Sequence, residues 1–320
     1  MKATLNFAFL SLLFVAMTAH SDDILIRGAT VHTMTGNGAA AKTDVLFRDG
    51  AVRRIGENLS GSGENFTIIE ANGRILTPGF FAGITSIGTG EVSGVEESVD
   101  DSIDLKDMRP EFDVTTAYTP HSSLVPVARI EGFSFTMLEA GSGTIIGGQG
   151  QVVALDGGYD SFSGSHVLYV RAGSGAASRA GGSRAGQWML LEQAMDEAAD
   201  PTMSNEPGLL TRTGRKVLAQ YADGGTVVFS VNRASDILQT LRFADKFGFR
   251  AVIEGGAEAW MVAEQLADAG VPVRLNPLQT LPSNDDSLGS RLDNAALLHA
   301  ARVTVAITGA GTRKPGTQRH

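Results

Sequence analysis

Histidine is the residue most often used to hold a metal or pass a proton near neutral pH. It occurs six times here, as His20, His32, His121, His166, His299 and His320. None forms a His-x-His or His-x-x-x-His pair, the spacings that bring two imidazoles to one face of a strand or helix. Each is read as an ordinary surface or core histidine. Cysteine is absent, which excludes disulfides, thiolate nucleophiles and Cys-type zinc or iron–sulfur sites. Gly141-Ser142-Gly143 and Gly147-Gly148-Gln149-Gly150 have the look of phosphate loops. No Gly-Lys-Ser/Thr follows, and the next run, Val152-Val153-Ala154-Leu155, reads as a strand. A dinucleotide loop must open a helix, so a turn between strands is expected. Seven acidic residues between Glu91 and Asp107 lack the Asp-x-Asp-x-Asp-Gly order of a calcium loop and read as a solvated segment. The Gly/Ala/Ser/Arg stretch at 172–186 carries Arg179 and Arg184, which suit an anion; a mobile linker is the preferred reading.

The elements that must position any chemistry fall into two patterns. Residues 24–77 read as a small all-β unit. Ile24–Val31, Asp44–Gly50 and Ala51–Gly56 are strand-like, and Asp49-Gly50 marks a hairpin. Phe66–Glu70 is another strand, with Asn72-Gly73 turning the chain into Arg74-Ile75-Leu76. After Pro78, apolar strand-like runs alternate with helical stretches. Ser134–Leu138, Val227–Val231, Arg250–Ile253, Val271–Leu275 and Val303–Ile307 are the strands. Between them, Ile237, Leu241 and Ala244 share one helix face, and a second helix carries Trp260, Met261 and Leu266. This alternation signals a parallel sheet covered by helices. Periodicity alone does not choose between an open doubly wound sheet and a closed barrel.

The 320 residues suit one large domain and a small one. A formal net charge of -9 argues against a nucleic-acid partner, which needs a basic stripe. Lys2 precedes an apolar run from Leu5 to Ala19, and Ala19-His20-Ser21 follows. A basic start, a short apolar segment and small residues at -3 and -1 predict a signal peptide, with cleavage expected after Ser21. The run is shorter than the ~20 residues of a spanning helix. A soluble periplasmic or secreted mature chain, with no membrane partner, is expected.

The block Leu76-Thr77-Pro78-Gly79-Phe80-Phe81-Ala82-Gly83-Ile84-Thr85-Ser86-Ile87-Gly88 follows the small β unit. Further on stand Ser123–Arg129, Ala234–Leu238, Ile253–Trp260 and Arg291–Leu298. In this order the stretches resemble the amidohydrolase superfamily, in particular its exported, imidazolonepropionase-like members. The resemblance implies an α/β fold, a (β/α)₈ TIM-type barrel with an N-terminal β-sandwich segment. The divisions expected are a signal at 1–21, the β-sandwich segment at 22–77, the barrel at 78–308 and an irregular tail at 309–320. It also implies hydrolysis of non-peptide C–N bonds, such as those of cyclic amides, using zinc or another divalent metal.

Here the chain departs from the implied pattern. Where members carry His-x-His this sequence has Ile84-Thr85-Ser86, and Asn232 and the stretch at Glu254 replace two further histidines. The run Ile307-Thr308-Gly309-Ala310-Gly311 has no carboxylate where members place an aspartate. A catalytic zinc needs about three N or O ligands and an open water position, so no metal cofactor is expected. Any small-molecule pocket should lie at the C-terminal ends of the strands, near Ile84, Ser86, Asn232, Glu254 and Asn276. Glu254 is the candidate acid or base, against a structural, hydrogen-bonded carboxylate. A non-catalytic binding or vestigial protein on the same fold is the competing function. The tail after Thr308 has no apolar period and reads as a truncation, leaving the barrel incomplete, or as a naturally short end.

Overall fold

A computed structural model describes residues 23–35, 38–60, 66–91, 95–200, 208–277 and 281–308. The expected signal segment, the tail and Ala310 lie outside these residues. The chain divides into two compact units, Met1–Pro78 and Gly79–His320.

The first unit is one sheet. Its strands are β1 (Asp23–His32), β2 (Ala39–Arg48), β3 (Ala51–Gly56), β4 (Phe66–Glu70) and β5 (Ile75–Leu76). The order is β3-β2-β1-β4, and β5 also pairs with β1. Arg48 pairs with Ala51 across a two-residue loop. Asp49 and Gly50 both take positive φ there, 53° and 71°, the geometry that an Asp-Gly hairpin favours. Leu25, Ala29, Val31 and Val45 are buried in this unit. Among the described residues the unit has one sheet and no second layer.

The second unit opens with β6 (Phe80–Thr85), β7 (Ser102–Ile103), α1 (Leu124–Ile130), β8 (Phe133–Leu138), β9 (Gly141–Ser142), β10 (Ile146–Ala154) and β11 (Phe162–Arg171). It continues with α2 (Ser174–Ala177), α3 (Arg184–Ala199), α4 (Arg212–Tyr221), β12 (Thr226–Val231), α5 (Ala234–Phe247) and β13 (Arg250–Gly255). Last come α6 (Ala263–Asp268), β14 (Val273–Leu275), α7 (Asn294–Ala300) and β15 (Val305–Ile307). Eight strands form one sheet in the order β15-β14-β13-β12-β11-β10-β8-β6. The sheet curls. A Cβ on Gly83 of β6 would lie 3.1 Å from the Thr308 methyl just beyond β15, although no ladder joins these two edge strands.

The sheet departs from a strict alternation of strand and helix at one place. β10 runs antiparallel to both neighbours, β8 and β11, while the remaining neighbours are parallel. Parallel neighbours need a crossover, usually helical, whereas antiparallel ones need only a turn. The connection from β8 to β10 passes through Gly141-Ser142-Gly143, whereas Gly147–Gly150, expected as a turn, lie within β10, where Gly148 takes φ 115° and Gly150 packs its Cα against the Leu138 carbonyl.

Register decides which side chains face the helices. Leu168, Val170, Val227, Phe229, Val231, Ile253, Val273 and Leu275 pack with Ile237, Phe243, Leu266 and Leu298 in the largest core. Burying each such side chain contributes roughly 1.5–3 kcal/mol. The alternate residues Tyr169, Val228 and Val252 face the other way and join Ile84, Leu138 and Val153 in a second cluster. The stretch at 172–186 is no linker. Ala176 and Ala180 are buried in the main core, and Ser183 caps α3 by accepting from the Gly186 amide. Small side chains let this segment pack closely, which its composition conceals. The acidic stretch also has its backbone fixed, through β7 pairing with β9, while Asp100, Asp104 and Asp107 stay exposed.

Candidate ligand site at the mouth of the sheet

The C-terminal ends of the parallel strands form one rim, called the mouth below. In-register neighbours of a sheet point to the same face. Arg171, Ser230, Glu254, Arg274 and Ala306 stand side by side across β11 to β15. They belong to the face opposite the helices, two residues on from Tyr169, Val228 and Val252.

Glu254 is held from both sides. The Ser230 hydroxyl donates to its Oε2 at 2.8 Å, and Arg274 Nη2 donates to its Oε1 at 2.5 Å. Arg274 Nη1 in turn donates to the Thr308 hydroxyl at 2.6 Å. The carboxylate side chain is only 9% exposed and the guanidinium 14%, so this is an ion pair largely removed from water. Arg274 Nε is buried with no protein acceptor. Thr85 and Thr136 add a second buried polar pair 2.7 Å apart, with Thr136 donating to the Gly83 carbonyl.

The other residues expected at the mouth have different surroundings. Ile84 is buried in the second apolar cluster. Ser86 is buried too, and its carbonyl accepts the Thr89 and Gly90 amides at 3.0 and 2.9 Å. Asn232 organises the loop after β13: its Oδ1 accepts the Ala257 amide and its carbonyl the Glu258 amide. Asn276 lines a separate small cleft of about 50 Å³ with Leu275, Pro277, Ser290, Asn294 and Ile307. Thus the geometry joins Glu254 to Ser230 and Arg274, and gives Asn232, Ser86 and Ile84 loop and core contacts.

Arg184, read above as suited to an anion, holds two carboxylates of this chain, Asp236 and Asp286. Burial pushes the Asp236 carboxyl up, against the opposing Arg184 hydrogen bond. Burial also acts on Asp286, but bonds from Ser174 and Arg184 outweigh it and hold that carboxyl below its usual range. Among the described residues no three His, Cys, Asp or Glu side chains come together as a metal site requires. A zinc ion therefore has no fitting donor set in the described part of the mouth: Ile84 offers none, Asn232 is spent on a loop, and Glu254 faces a guanidinium.

Sequence reasoning missed Ser230, Arg274 and Arg171. Their signal was a polar residue alternating with apolar ones, as in Val273-Arg274-Leu275, which marks an inward position on a sheet.

A curled, mainly parallel sheet with helices on one face and polar residues at the strand ends is a barrel-type scaffold. No family model matches the chain, and no curated protein matches it. Among solved structures, an amidohydrolase from Thermotoga maritima MSB8 superposes with a TM-score of 0.78 at 23% identity, over 89% of this chain and 78% of that one. That likeness establishes an amidohydrolase-type fold. A triazine hydrolase from Arthobacter aurescens matches with a TM-score of 0.47 at 16% identity, over 91% of this chain and 72% of that one. A β-aspartyl dipeptidase from Fervidobacterium islandicum AW-1 matches with a TM-score of 0.44 at 18% identity, over 90% and 73%. Scores below one half carry no weight here.

Proposed function

We propose that this chain is an amidohydrolase-fold protein that binds a small polar molecule at its mouth and has lost metal-dependent C–N hydrolysis. The observation that carries this reading is the engagement of Glu254 by Ser230 and Arg274. Hydrolysis in such a scaffold depends on a metal that brings the pKa of bound water to about 7. That chemistry needs carboxylate and imidazole donors converging on one point. At this mouth the convergent carboxylate is neutralised by an arginine, and the flanking positions carry isoleucine, serine and asparagine. The row of Ser, Glu and Arg groups offers donors and acceptors to a ligand without supplying a nucleophile.

The fold likeness to the Thermotoga amidohydrolase favours a second reading, hydrolysis of a cyclic amide with Glu254 as acid or base. Elemental analysis of the purified chain after growth with zinc, followed by assay on cyclic amides, separates the two. The binding reading expects zinc well below one per chain and no turnover. One tightly held zinc per chain, or hydrolysis abolished by Glu254→Gln, would overturn it. We also infer export to the periplasm from the Lys2–Ser21 pattern. A mature N-terminus at Asp22, read by sequencing the recovered protein, is the expected result.

A further inference from the structure

Buried or half-buried arginines of the second unit have carboxylate partners: Arg184 with Asp236 and Asp286, Arg215 with Glu197, Arg274 with Glu254. Arg171 is half-buried and has no carboxylate within ion-pair reach among the described residues. It ends β11, in register with Ser230, so it stands at the open end of the polar row. Its guanidinium lies beside Gly141, the first residue of β9. A Cβ on Gly141 would sit 3.2 Å from Arg171 Nη2, and the glycine leaves that space to the guanidinium. Arg179, on the loop after α2, reaches the connection that follows β9, where Nη1 donates to the Thr144 carbonyl at 3.2 Å. Two guanidiniums therefore converge on residues 141–144, at the end of the sheet where the ligand reading places the site.

We propose that Arg171 and Arg179 form an oxyanion subsite that holds the carboxylate or phosphate group of the mouth's ligand. A guanidinium presents five N–H donors in a planar fork that matches two oxygens of such a group. Arg179 spends one donor on Thr144 and keeps the rest. Two like charges brought together raise each other's electrostatic cost, and an anion between them relieves it. Burial, then the neighbouring Arg171, pulls Arg179 below its ordinary range, with Asp104 opposing. Asp104 packs beside Gly143 and offsets part of the charge at Arg179.

The inference names the ligand chemistry of the site proposed above and so rests on the binding reading. Its readout, anion binding, is separate from the zinc and turnover measurements that test that reading. Titration calorimetry of the full chain with sodium phosphate, and separately with sodium acetate, at constant ionic strength is the experiment. Saturable one-site binding of at least one anion is expected. Arg171→Gln should weaken it at least tenfold, Arg179→Gln several-fold, and Arg212→Gln, on the exposed face of α4, not at all. Arg171→Lys should retain part of the affinity, because charge survives without the fork. Tryptophan fluorescence confirms that each variant is folded. Tighter phosphate than acetate points to a phosphorylated ligand, and the reverse to an organic acid. Absence of saturable binding of both anions by the folded chain, or unchanged affinity in folded Arg171→Gln, overturns the proposal.

Discussion

Removing the guanidinium of Arg274 tests whether the polar row is a structural commitment or a loose surface. The perturbation is Arg274→Met, which keeps the length of the side chain and deletes its charge. Glu254 would remain inside with its side chain 9% exposed and its arginine counter-charge gone. For charge centres ~4 Å apart and an effective dielectric near 20, the lost attraction is about 4 kcal/mol. Breaking one partner of a buried pair costs about 3–5 kcal/mol by comparison with other proteins. For a unit of this size that corresponds to a fall in Tm of roughly 6–20 °C. Glu254→Gln should cost less, about 1.5–3 kcal/mol, because the amide oxygen still accepts from Arg274. The double variant removes both charges and should lie closer to the wild type than Arg274→Met does. Both tryptophans, Trp188 and Trp260, belong to the second unit, so urea unfolding followed by fluorescence reports on that unit alone. A loss under ~1 kcal/mol for Arg274→Met, or a double variant as unstable as the single, would refute the argument from burial.

Two further outcomes follow from other sites. Burial raises the Glu197 carboxyl, but amides of Leu209 and Leu210, the Gln193 side chain and Arg215 outweigh it, and the carboxyl is held below its ordinary 4.5. A depressed carboxyl stabilises the fold above its unfolded value and loses that contribution as pH falls through the folded one. Glu197→Gln should therefore lower stability at pH 7 and flatten its decline below pH 4.5; an unchanged acid slope in urea midpoints contradicts this. Gly83 has φ 97°, and any Cβ there would meet Thr308 at 3.1 Å. Gly83→Ala should cost roughly 1–3 kcal/mol from backbone strain and crowding, and an unchanged urea midpoint would mean that the sheet edges do not meet.

The helix-facing half of the second unit was legible in the sequence. Val227, Phe229 and Val231 alternate on one strand, and Ile237 and Ala244 share a helix face, so apolar period alone gives the parallel, helix-covered sheet. The antiparallel strand β10 was only partly legible: a turn was expected both at Gly141–Gly143 and at Gly147–Gly150, yet the second run forms part of the strand, and its place between β8 and β11 was not foreseen. Strand order depends on non-local pairing, which a local pattern does not encode. Residues 172–186 misled because Gly, Ala and Ser carry little apolar signal, yet Ala176 is fully buried. Of the candidate site, Glu254 was singled out through its neighbours in sequence. Its two partners lie 24 residues upstream and 20 downstream. Only the strand register unites them, and no spacing rule for helix or turn reaches that far.

Register also explains how a chain can keep a fold while its mouth changes. Along β12 to β14 successive residues alternate between the helix side and the mouth side. Val227, Phe229, Ile253, Val273 and Leu275 contribute the burial that holds helices to sheet. Ser230, Glu254 and Arg274 sit between them on the other face and touch one another. Substitution in the second set alters charge and ligand chemistry while the first set continues to specify the sheet. A TM-score of 0.78 at 23% identity shows that this fold is reached with most residues different. The limit on that drift is electrostatic, because a carboxylate placed inward must bring its own counter-charge, as Arg274 does for Glu254. Within such a row, a cation that lacks an internal counter-charge is the position at which a ligand contributes one, and Arg171 occupies it.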